Sequence, residues 1–122
     1  MTKEKYAVLC AESAWETCAI FWSDLEIASW ENTDQTTKNQ LIMTAQQAIS
    51  RAGTKAAEIH EKYQILRWNT GWSYNQYFDK IERWDPLLEK WELLHENDKI
   101  LFYTLEKLCS LFYTRKDADH GE

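Results

Sequence analysis

Residues 60–91 read HEKYQILRWNTGWSYNQYFDKIERWDPLLEKW, and the other segments of the chain are best understood from this one. A helical pattern ends at the Asn69-Thr70-Gly71 break, an aromatic loop follows, and Pro86, the only proline, starts a second short helix. Four of the seven tryptophans lie in this segment, at positions 68, 72, 84 and 91. Loops are usually polar and lie at the surface, so a loop this aromatic must fill the core or line a pocket. We therefore expect the functional site here.

The composition predicts a single helical domain. The chain has 122 residues, which suits one hydrophobic core, and 14% of them are aromatic. Only 3 glycines and 1 proline are present, whereas β folds with many turns need more of both. We expect a mainly α fold with one domain at residues 1–116 and a frayed tail at residues 117–122.

Charge and cysteine content argue against nucleic acid and membrane partners. The net charge is −6 and the basic residues form no stripe, whereas binding to a phosphate backbone requires clustered Lys and Arg. The longest apolar run near the start, residues 7–11, is too short for a signal segment or a membrane span. Cys10 and Cys18 lie two helical turns apart, too far for a disulfide, and Cys109 makes the number of thiols odd. These features are typical of a cytoplasmic protein.

Apolar periodicity predicts four long helices and one short helix. The segment Asn32-Thr33-Asp34 should cap the second helix and Gly53 should end it, while Asp85 and Pro86 should start the short helix. We expect at most a very short β pairing within the aromatic loop, residues 71–81. The predicted helices are residues 4–22, 34–52, 54–68, 87–94, and 97 or 98 onward.

The two halves of the chain repeat weakly, at residues 4–53 and 55–112. Only the second half contains the aromatic loop. We therefore expect two helix pairs in an approximate two-fold arrangement. The aligned positions are Trp30-Glu31 with Trp91-Glu92, Lys38 with Lys99, and Ala11-Glu12 with His60-Glu61.

The second half also carries a spaced set of motifs, which are His60-Glu61-x-Tyr63, Gly71-Trp72-Ser73-Tyr74, Asp79, Pro86-x-Leu88 and Trp91-x-x-Leu94. This pattern resembles the RyR domain, the small module repeated in the cytoplasmic part of ryanodine receptors and found as free-standing proteins in bacteria and tailed phages. The resemblance covers about residues 55–112. The Trp30-Glu31 region extends it to the first half of the stand-alone phage members.

Two positions depart from the family pattern. Asn75 stands where the family usually has glycine, and asparagine tolerates a left-handed backbone better than most residues. Asp85 stands where the family usually has the histidine before proline, which puts an anion in place of a donor. Ala11 occupies the histidine position of the first half, so only the second half keeps a complete site.

The resemblance implies a non-enzymatic protein that binds or sequesters a small nucleotide-derived signalling molecule in the cytoplasm. For a bacteriophage protein this would be the host cytoplasm, and the role would be counter-defence. The alternative is a protein–protein interaction or assembly module without a small ligand, and either function suits a homo-oligomer. No cofactor is implied. The expected ligand-binding residues are His60, Glu61, Arg67, Trp68, Trp72, Tyr74, Arg83 and Trp91.

The aromatic loop leaves two interpretations open. Trp72 and Tyr74 alternate and should point to the same side, either as a plug over the core or as a stacking surface for a ligand. We expect Trp72, Tyr74 and Trp91 to pack near His60 in one cluster. Since an anionic ligand needs local positive charge, at least one basic residue near the loop should face the concavity. The candidates are Arg67, Lys80 and Arg83.

His60-Glu61 could suggest a zinc enzyme, but no second histidine lies one turn further on. We expect His60 to be a buried histidine that joins the aromatic loop to the third helix by a hydrogen bond. Glu61 should cap loop amides or pair with a basic residue. The sequence contains no Gly-rich phosphate loop, nucleophile elbow or His/Cys cluster, so we expect neither catalytic nor metal-binding residues.

Overall fold

The computed structural model describes residues 1–22 and 29–120, with side chains described as far as residue 113. The described residues are mainly helical, which confirms the mainly α class. The described residues form four α-helices: α1 (Lys3–Ala19), α2 (Gln35–Ile49), α3 (Ala56–Asn69) and α4 (Glu96–His120). Single 3₁₀ turns lie at Trp30–Asn32, Pro86–Leu88 and Trp91–Leu93.

Each helix begins where a polar group satisfies its first N–H groups. Asp34 caps α2 by accepting a hydrogen bond from the Thr37 N–H at 3.0 Å. The first N–H of α3, at Ala56, donates to the Glu106 carboxylate of α4 at 2.6 Å. The α3 helix ends at Asn69, and Gly71 follows with φ +86°, as the predicted left-handed cap requires.

The four helices pack as a bundle. Helices α1 and α3 each pack against both α2 and α4, and α2 also packs against α4. This places α1 and α3 diagonally. Ala7, Ala11 and Ala14 on α1 are buried, so the small side chains let the neighbouring helices approach closely.

The prediction of a short helix at residues 87–94 is wrong. Two separate 3₁₀ turns occupy this segment, and Glu89 between them is extended (φ −62°, ψ 156°). The Gln64 amide of α3 donates to the carbonyls of Leu88 and Glu89 at 3.2 and 3.3 Å. Those carbonyls would accept from N–H groups further along if an α-helix continued, so the Gln64 amide supplies donors where the helical hydrogen bonds are missing.

The two halves share one local arrangement. A 3₁₀ turn that starts with tryptophan precedes α2 in the first half and α4 in the second. The Lys38 Nζ lies 5.8 Å from the Trp30 ring centroid, and the Lys99 Nζ lies 5.2 Å from the Trp91 ring centroid. The residues aligned in the sequence thus make the same cation–π contact in both halves.

Two residues of the aromatic loop, Ser73 and Asp79, form isolated β bridges with Trp84, which follows the loop. At the other end of the second half, α4 extends to His120, so residues 117–120 of the predicted tail are helical. Residues 121–122 lie outside those described. Over residues 1–22 and 29–120, the chain has no helix that is both long and apolar enough to cross a membrane.

Candidate functional site

Arg67 lies at the centre of the second half, under the aromatic loop. Its side chain is 0% exposed. Nε donates to the Asp85 carboxylate at 3.1 Å and to the Tyr63 hydroxyl at 2.9 Å. Nη1 donates to the Gln40 carbonyl oxygen and Nη2 to the Thr37 hydroxyl, both at 2.9 Å. Arg67 therefore faces the core, which contradicts the expectation that it could face a concavity and bind a ligand there.

The charges of this buried network are fully paired. Tyr63 donates a short hydrogen bond to Asp85, and the other Asp85 oxygen accepts the Leu87 N–H at 2.8 Å. Burial alone would lower the pKa of Arg67, but Tyr63 and Asp85 outweigh it and raise that pKa. Burial, together with the charge of Asp85, raises the pKa of Tyr63 well above its usual value. Arg67 therefore stays charged and Tyr63 stays protonated.

Trp72 covers this network from the loop side. The Arg67 guanidinium carbon lies 3.7 Å from the Trp72 ring centroid, and the Phe78 ring lies 5.7 Å away at an interplanar angle of 31°. Trp72 is only 5% exposed, whereas Tyr74 is 49% exposed, so the two do not share a side as predicted. Of the two interpretations, Trp72 fits the core plug, because its ring already packs on a guanidinium and an aromatic ring.

His60 joins α3 to the segment after the loop. The buried ring places Nε2 2.8 Å from the Leu87 carbonyl, and because a carbonyl only accepts, Nε2 carries the hydrogen. Burial lowers the pKa of His60, which keeps the ring neutral. The ring packs against Trp91 at 5.5 Å and Phe102 at 4.9 Å between centroids. The predicted contact of Trp91 with His60 is present, whereas Trp72 packs on Arg67 and Phe78 instead.

Two further predicted site residues lie on the outer surface of α3. Glu61 is exposed and Trp68 is 51% exposed. Neither borders the cleft described next, and neither is part of the network around Arg67. The predicted site residues on α3 lie on several sides of the helix, so some of them face the core and others face solvent.

An open cleft of about 730 Å³ lies between the start of α2 and the end of α3. Two of the three basic residues considered from sequence, Lys80 and Arg83, border it and are exposed. Opposite them stands Asp34, whose carboxylate also accepts the Thr37 hydroxyl at 2.8 Å. The full lining is Asp34, Thr36, Asn69, Thr70, Gly71, Trp72, Lys80, Ile81 and Arg83.

Arg83 holds the two ends of the aromatic loop together. Its Nη1 donates to the Thr70 carbonyl at 2.5 Å, and its own carbonyl accepts the Ser73 N–H at 2.9 Å. Within residues 1–22 and 29–120, it is the only non-glycine residue with positive φ, at 61°. Such a conformation is uncommon for arginine and marks a position where surrounding contacts impose the backbone.

The cleft walls are fixed by the buried network beneath them. Thr37 accepts from Arg67 and donates to Asp34, so one wall is tied to the core through a single hydroxyl. Gln40 donates to the Thr70 hydroxyl at 2.7 Å, which ties the other wall. The cleft is thus held in place before any ligand arrives.

Sequence reasoning missed the α2 side of both the network and the cleft. The signal was present, because Thr37, Gln40 and Thr44 are polar residues among the apolar positions Leu41 and Ala45 on the inner side of α2. Polar side chains on an apolar helix surface require buried partners. Thr44 donates to the Gln40 carbonyl of its own helix, whereas Thr37 and Gln40 pair with Arg67 on the next helix, so no local pattern identifies that partner.

Comparisons of the chain with protein-family models, curated proteins and solved structures found no match. Among the described residues, no group of three or more His, Cys, Asp or Glu side chains is arranged to hold a metal ion.

Proposed function

We propose that the protein is a non-enzymatic, RyR-type binding protein that holds a small nucleotide-derived molecule in the cleft lined by Lys80 and Arg83. The observation that carries this proposal is the position of two exposed cations on one cleft of a protein with net charge −6. An acidic protein attracts an anion only where positive charge is locally concentrated. The ligand end bound here is therefore the phosphate.

Arg83 is suited to phosphate because most of its donors are available. Within the part of the chain that the structure describes, the Arg83 side chain donates to protein through Nη1 alone. A guanidinium has five N–H donors in a planar fork that matches phosphate oxygens. The bond to the Thr70 carbonyl then orients the fork, and Lys80 adds a second charge.

The size and chemistry of the remaining lining favour a ligand about as large as a nucleotide. The volume of about 730 Å³ lies within the usual range for small-molecule sites. Thr36 and Asn69 supply a hydroxyl and an amide that can bond to sugar hydroxyls. Ile81, 84% exposed, offers the apolar contact for a base, because the Trp72 ring is covered.

Binding is favoured over catalysis by the position of the perturbed ionisable groups. Groups with shifted pKa values, such as His60, Tyr63 and Asp98, do not line the cleft. Catalytic acids and bases usually combine a perturbed pKa with a place in the site. The cleft side chains can donate and accept hydrogen bonds and provide charge, which is sufficient to sequester a ligand.

The test is calorimetry with mononucleotides, dinucleotides, cyclic nucleotides and ADP-ribose-type compounds. Lys80→Ala and Arg83→Asn should each weaken binding of the responding ligand about 10- to 100-fold, as the loss of a charge-assisted hydrogen bond does. Asparagine is chosen at position 83 because it tolerates positive φ. The matched controls are Lys107→Ala and Arg51→Asn, exposed residues outside the cleft lining. Absence of binding across the panel, or equal loss in the controls, contradicts the proposal.

A protein-binding function is the second candidate, and exposed apolar side chains favour it. Trp68, Tyr74, Tyr77 and Ile81 on or beside the aromatic loop are all large and exposed. Such side chains are enriched in interfaces, including those of homo-oligomers. Light scattering across protein concentrations tests this function. Self-association that Trp68→Ala or Tyr77→Ala abolishes, in a protein that binds none of the nucleotides, would favour it over the ligand-binding proposal.

A further inference from the structure

The two walls of the cleft carry opposite charges. Lys80 and Arg83 lie in and just after the aromatic loop, whereas Asp34 stands at the start of α2. Among the residues that the structure describes, no ion pair joins Asp34 to either cation. A ligand in the cleft therefore meets a positive wall on one side and a negative group on the other.

The Asp34 carboxylate is held in one orientation by Thr37. The Thr37 N–H donates to Oδ2 at 3.0 Å, and the Thr37 hydroxyl lies 2.8 Å from Oδ1 and 2.9 Å from Oδ2. That hydroxyl also accepts from the buried Arg67 at 2.9 Å. The carboxylate thus has a fixed position relative to the core, which is what a group that recognises a ligand requires.

Asp34 can still accept hydrogen bonds from a ligand. An ionised carboxylate offers roughly four acceptor sites, and the Thr37 N–H and hydroxyl supply two donors. The Asp34 side chain is only half-buried and lines the cleft, so the remaining acceptor sites are accessible there. The matching ligand group carries two neighbouring hydrogen-bond donors.

A phosphate does not suit the Asp34 wall. The N-terminus of a helix usually favours anions, but at the start of α2 the Thr37 N–H is already bonded to Asp34, and the carboxylate charge repels a second anion. The phosphate end of a ligand therefore lies toward Lys80 and Arg83. The ligand end that faces Asp34 must be uncharged or positive.

The other lining residues distinguish a sugar from a base at this wall. Ile81, the exposed apolar residue of the lining, follows Lys80 on the loop side, whereas Asp34 is accompanied by the polar Thr36. A base needs an apolar or aromatic surface against its face, while a sugar presents hydroxyls along its edge. The two adjacent hydroxyls of a ribose match the acceptor sites that Thr37 leaves on Asp34.

We propose that Asp34 determines the specificity of the cleft by accepting hydrogen bonds from a free ribose 2′,3′-diol. The ligand class is then a ribonucleoside 5′-phosphate or a compound that contains one. This inference rests on the proposed function, since it assigns the phosphate to Lys80 and Arg83. It adds that a 2′-deoxy sugar, or a sugar with phosphate on its 2′ or 3′ oxygen, is disfavoured at Asp34.

The first test is calorimetry of the purified full chain with the common ribonucleoside 5′-diphosphates and their 2′-deoxy counterparts. For each base that binds, the ribonucleotide should bind about 10-fold more tightly than the 2′-deoxynucleotide, because one hydrogen bond to a charged acceptor is lost. Inorganic pyrophosphate, which lacks the sugar, reports on the phosphate end alone.

The Asp34→Asn variant tests the role of the carboxylate. Asparagine is also a favoured N-cap and still accepts the Thr37 N–H, but it carries no charge. The variant should lose the preference for ribose over deoxyribose and should bind inorganic pyrophosphate at least as tightly as the wild type does. The matched control is Asp79→Asn, which removes the same charge from a loop residue that accepts two backbone N–H groups outside the cleft lining. It should keep the ribose preference.

Failure of this inference can be told apart from failure of the proposed function. Equal affinity for ribose and deoxyribose forms in the wild type, or a ribose preference that survives Asp34→Asn, would overturn the role of Asp34 and leave the phosphate site intact. A preference for one base that only Asp34→Asn removes would assign Asp34 to the base and also overturn it. Absence of binding by any nucleotide would overturn both. If Asp34→Asn fails to fold, the comparison of sugars in the wild type decides alone.

Discussion

The C-terminal parts of α1 and α3 are equivalent in the repeat, yet α1 contacts α4 and α3 contacts α2 in different ways. Cys18 on α1 aligns with Arg67 on α3 and donates one weak hydrogen bond to the Asn97 carbonyl. Arg67 instead donates to two side chains on α2, Thr37 and Gln40. One half thus places a small thiol where the other places a paired charge.

The cavities near Cys18 and near Arg67 also differ, in their volume. A space of only about 10 Å³ lies between Trp15 and Trp22 of the first half and Asp98 of the second, whereas the cleft lined by Lys80 and Arg83 measures about 730 Å³. The aromatic loop, present only in the second half, supplies Lys80 and Arg83 to that cleft. Beside this cleft, Trp72 of the loop packs on Arg67, whose charge is paired with Asp85.

Removing the paired charge should have the largest effect. Arg67→Ala leaves the Asp85 carboxylate buried without its cation, so it should reduce the free energy of unfolding by about 3–5 kcal/mol. Cys18→Ala, the equivalent change in the first half, removes one weak hydrogen bond and a small volume and should cost about 1 kcal/mol. Urea unfolding of the two variants measures the difference.

A double variant sharpens this prediction. Arg67→Met with Asp85→Leu removes both charges, so it should recover much of the stability lost in Arg67→Ala. Equal stability of Arg67→Ala and Cys18→Ala would mean that the ion pair does not support the junction. The double variant should also bind ligand less well, because Arg67 no longer holds Thr37 and Gln40 in the positions from which they support the cleft walls.

Sequence patterns predicted the helices better than the site, for a physical reason. The apolar periodicity of α1 and the cap at Gly71 are local, so sequence patterns and turn chemistry find them. The burial of Arg67 depends on Thr37 and Gln40 of another helix, and no local signal sets that pairing. At the break, the Glu89 carbonyl likewise pairs with Gln64 of α3, which the Pro86 start signal cannot anticipate.

The aligned tryptophans give the second test of the comparison. Trp30 is buried, whereas its counterpart Trp91 is half-buried between His60 and Tyr103. Since the cost of truncation follows the area removed from water and the cavity left behind, Trp30→Ala should cost about 3–4 kcal/mol and Trp91→Ala about 2–3 kcal/mol. Thermal unfolding of both variants checks the order, and a reversed order would contradict the assigned burial.

The glycines that follow α2 and α3 provide a closer pair. Gly53 and Gly71 both have positive φ, at 80° and 86°, so alanine should cost about 1 kcal/mol at either position. At Gly53 a Cβ would meet nothing within 4 Å, whereas at Gly71 it would lie 3.0 Å from the Arg83 Nη1. We expect Gly71→Ala to cost about 1 kcal/mol more than Gly53→Ala.

The extra loss of stability in Gly71→Ala, compared with Gly53→Ala, should depend on the Arg83 side chain. In an Arg83→Asn background the crowding atom is absent, so Gly71→Ala and Gly53→Ala should then cost about the same. A double-mutant cycle from urea unfolding measures the coupling. A coupling near zero would show that Arg83 moves away from the new methyl group without loss.

The smallest expected effect is a pH dependence of stability that comes from His60, the residue of the second half that aligns with Ala11 of the first. Burial lowers the pKa of His60 in the folded protein, although Asp85 and Glu92 act in the opposite direction. The unfolded chain, with a pKa near 6.5, therefore binds a proton more readily than the folded one. The stability that the neutral His60 provides is complete above about pH 6.5 and declines as the pH falls toward the folded pKa.

Replacing His60 with phenylalanine should remove this decline. Phenylalanine keeps a ring against Trp91 and Phe102 but cannot take up a proton. The hydrogen bond from His60 to the Leu87 carbonyl is lost, which costs about 1–3 kcal/mol at every pH. Between pH 6.5 and 5.5, the wild type should therefore lose more stability than His60→Phe, by at most about 1.4 kcal/mol per pH unit. Urea unfolding at several pH values gives both slopes. Because other titrating groups are common to the two proteins, parallel slopes would mean that His60 is protonated equally in the folded and unfolded states.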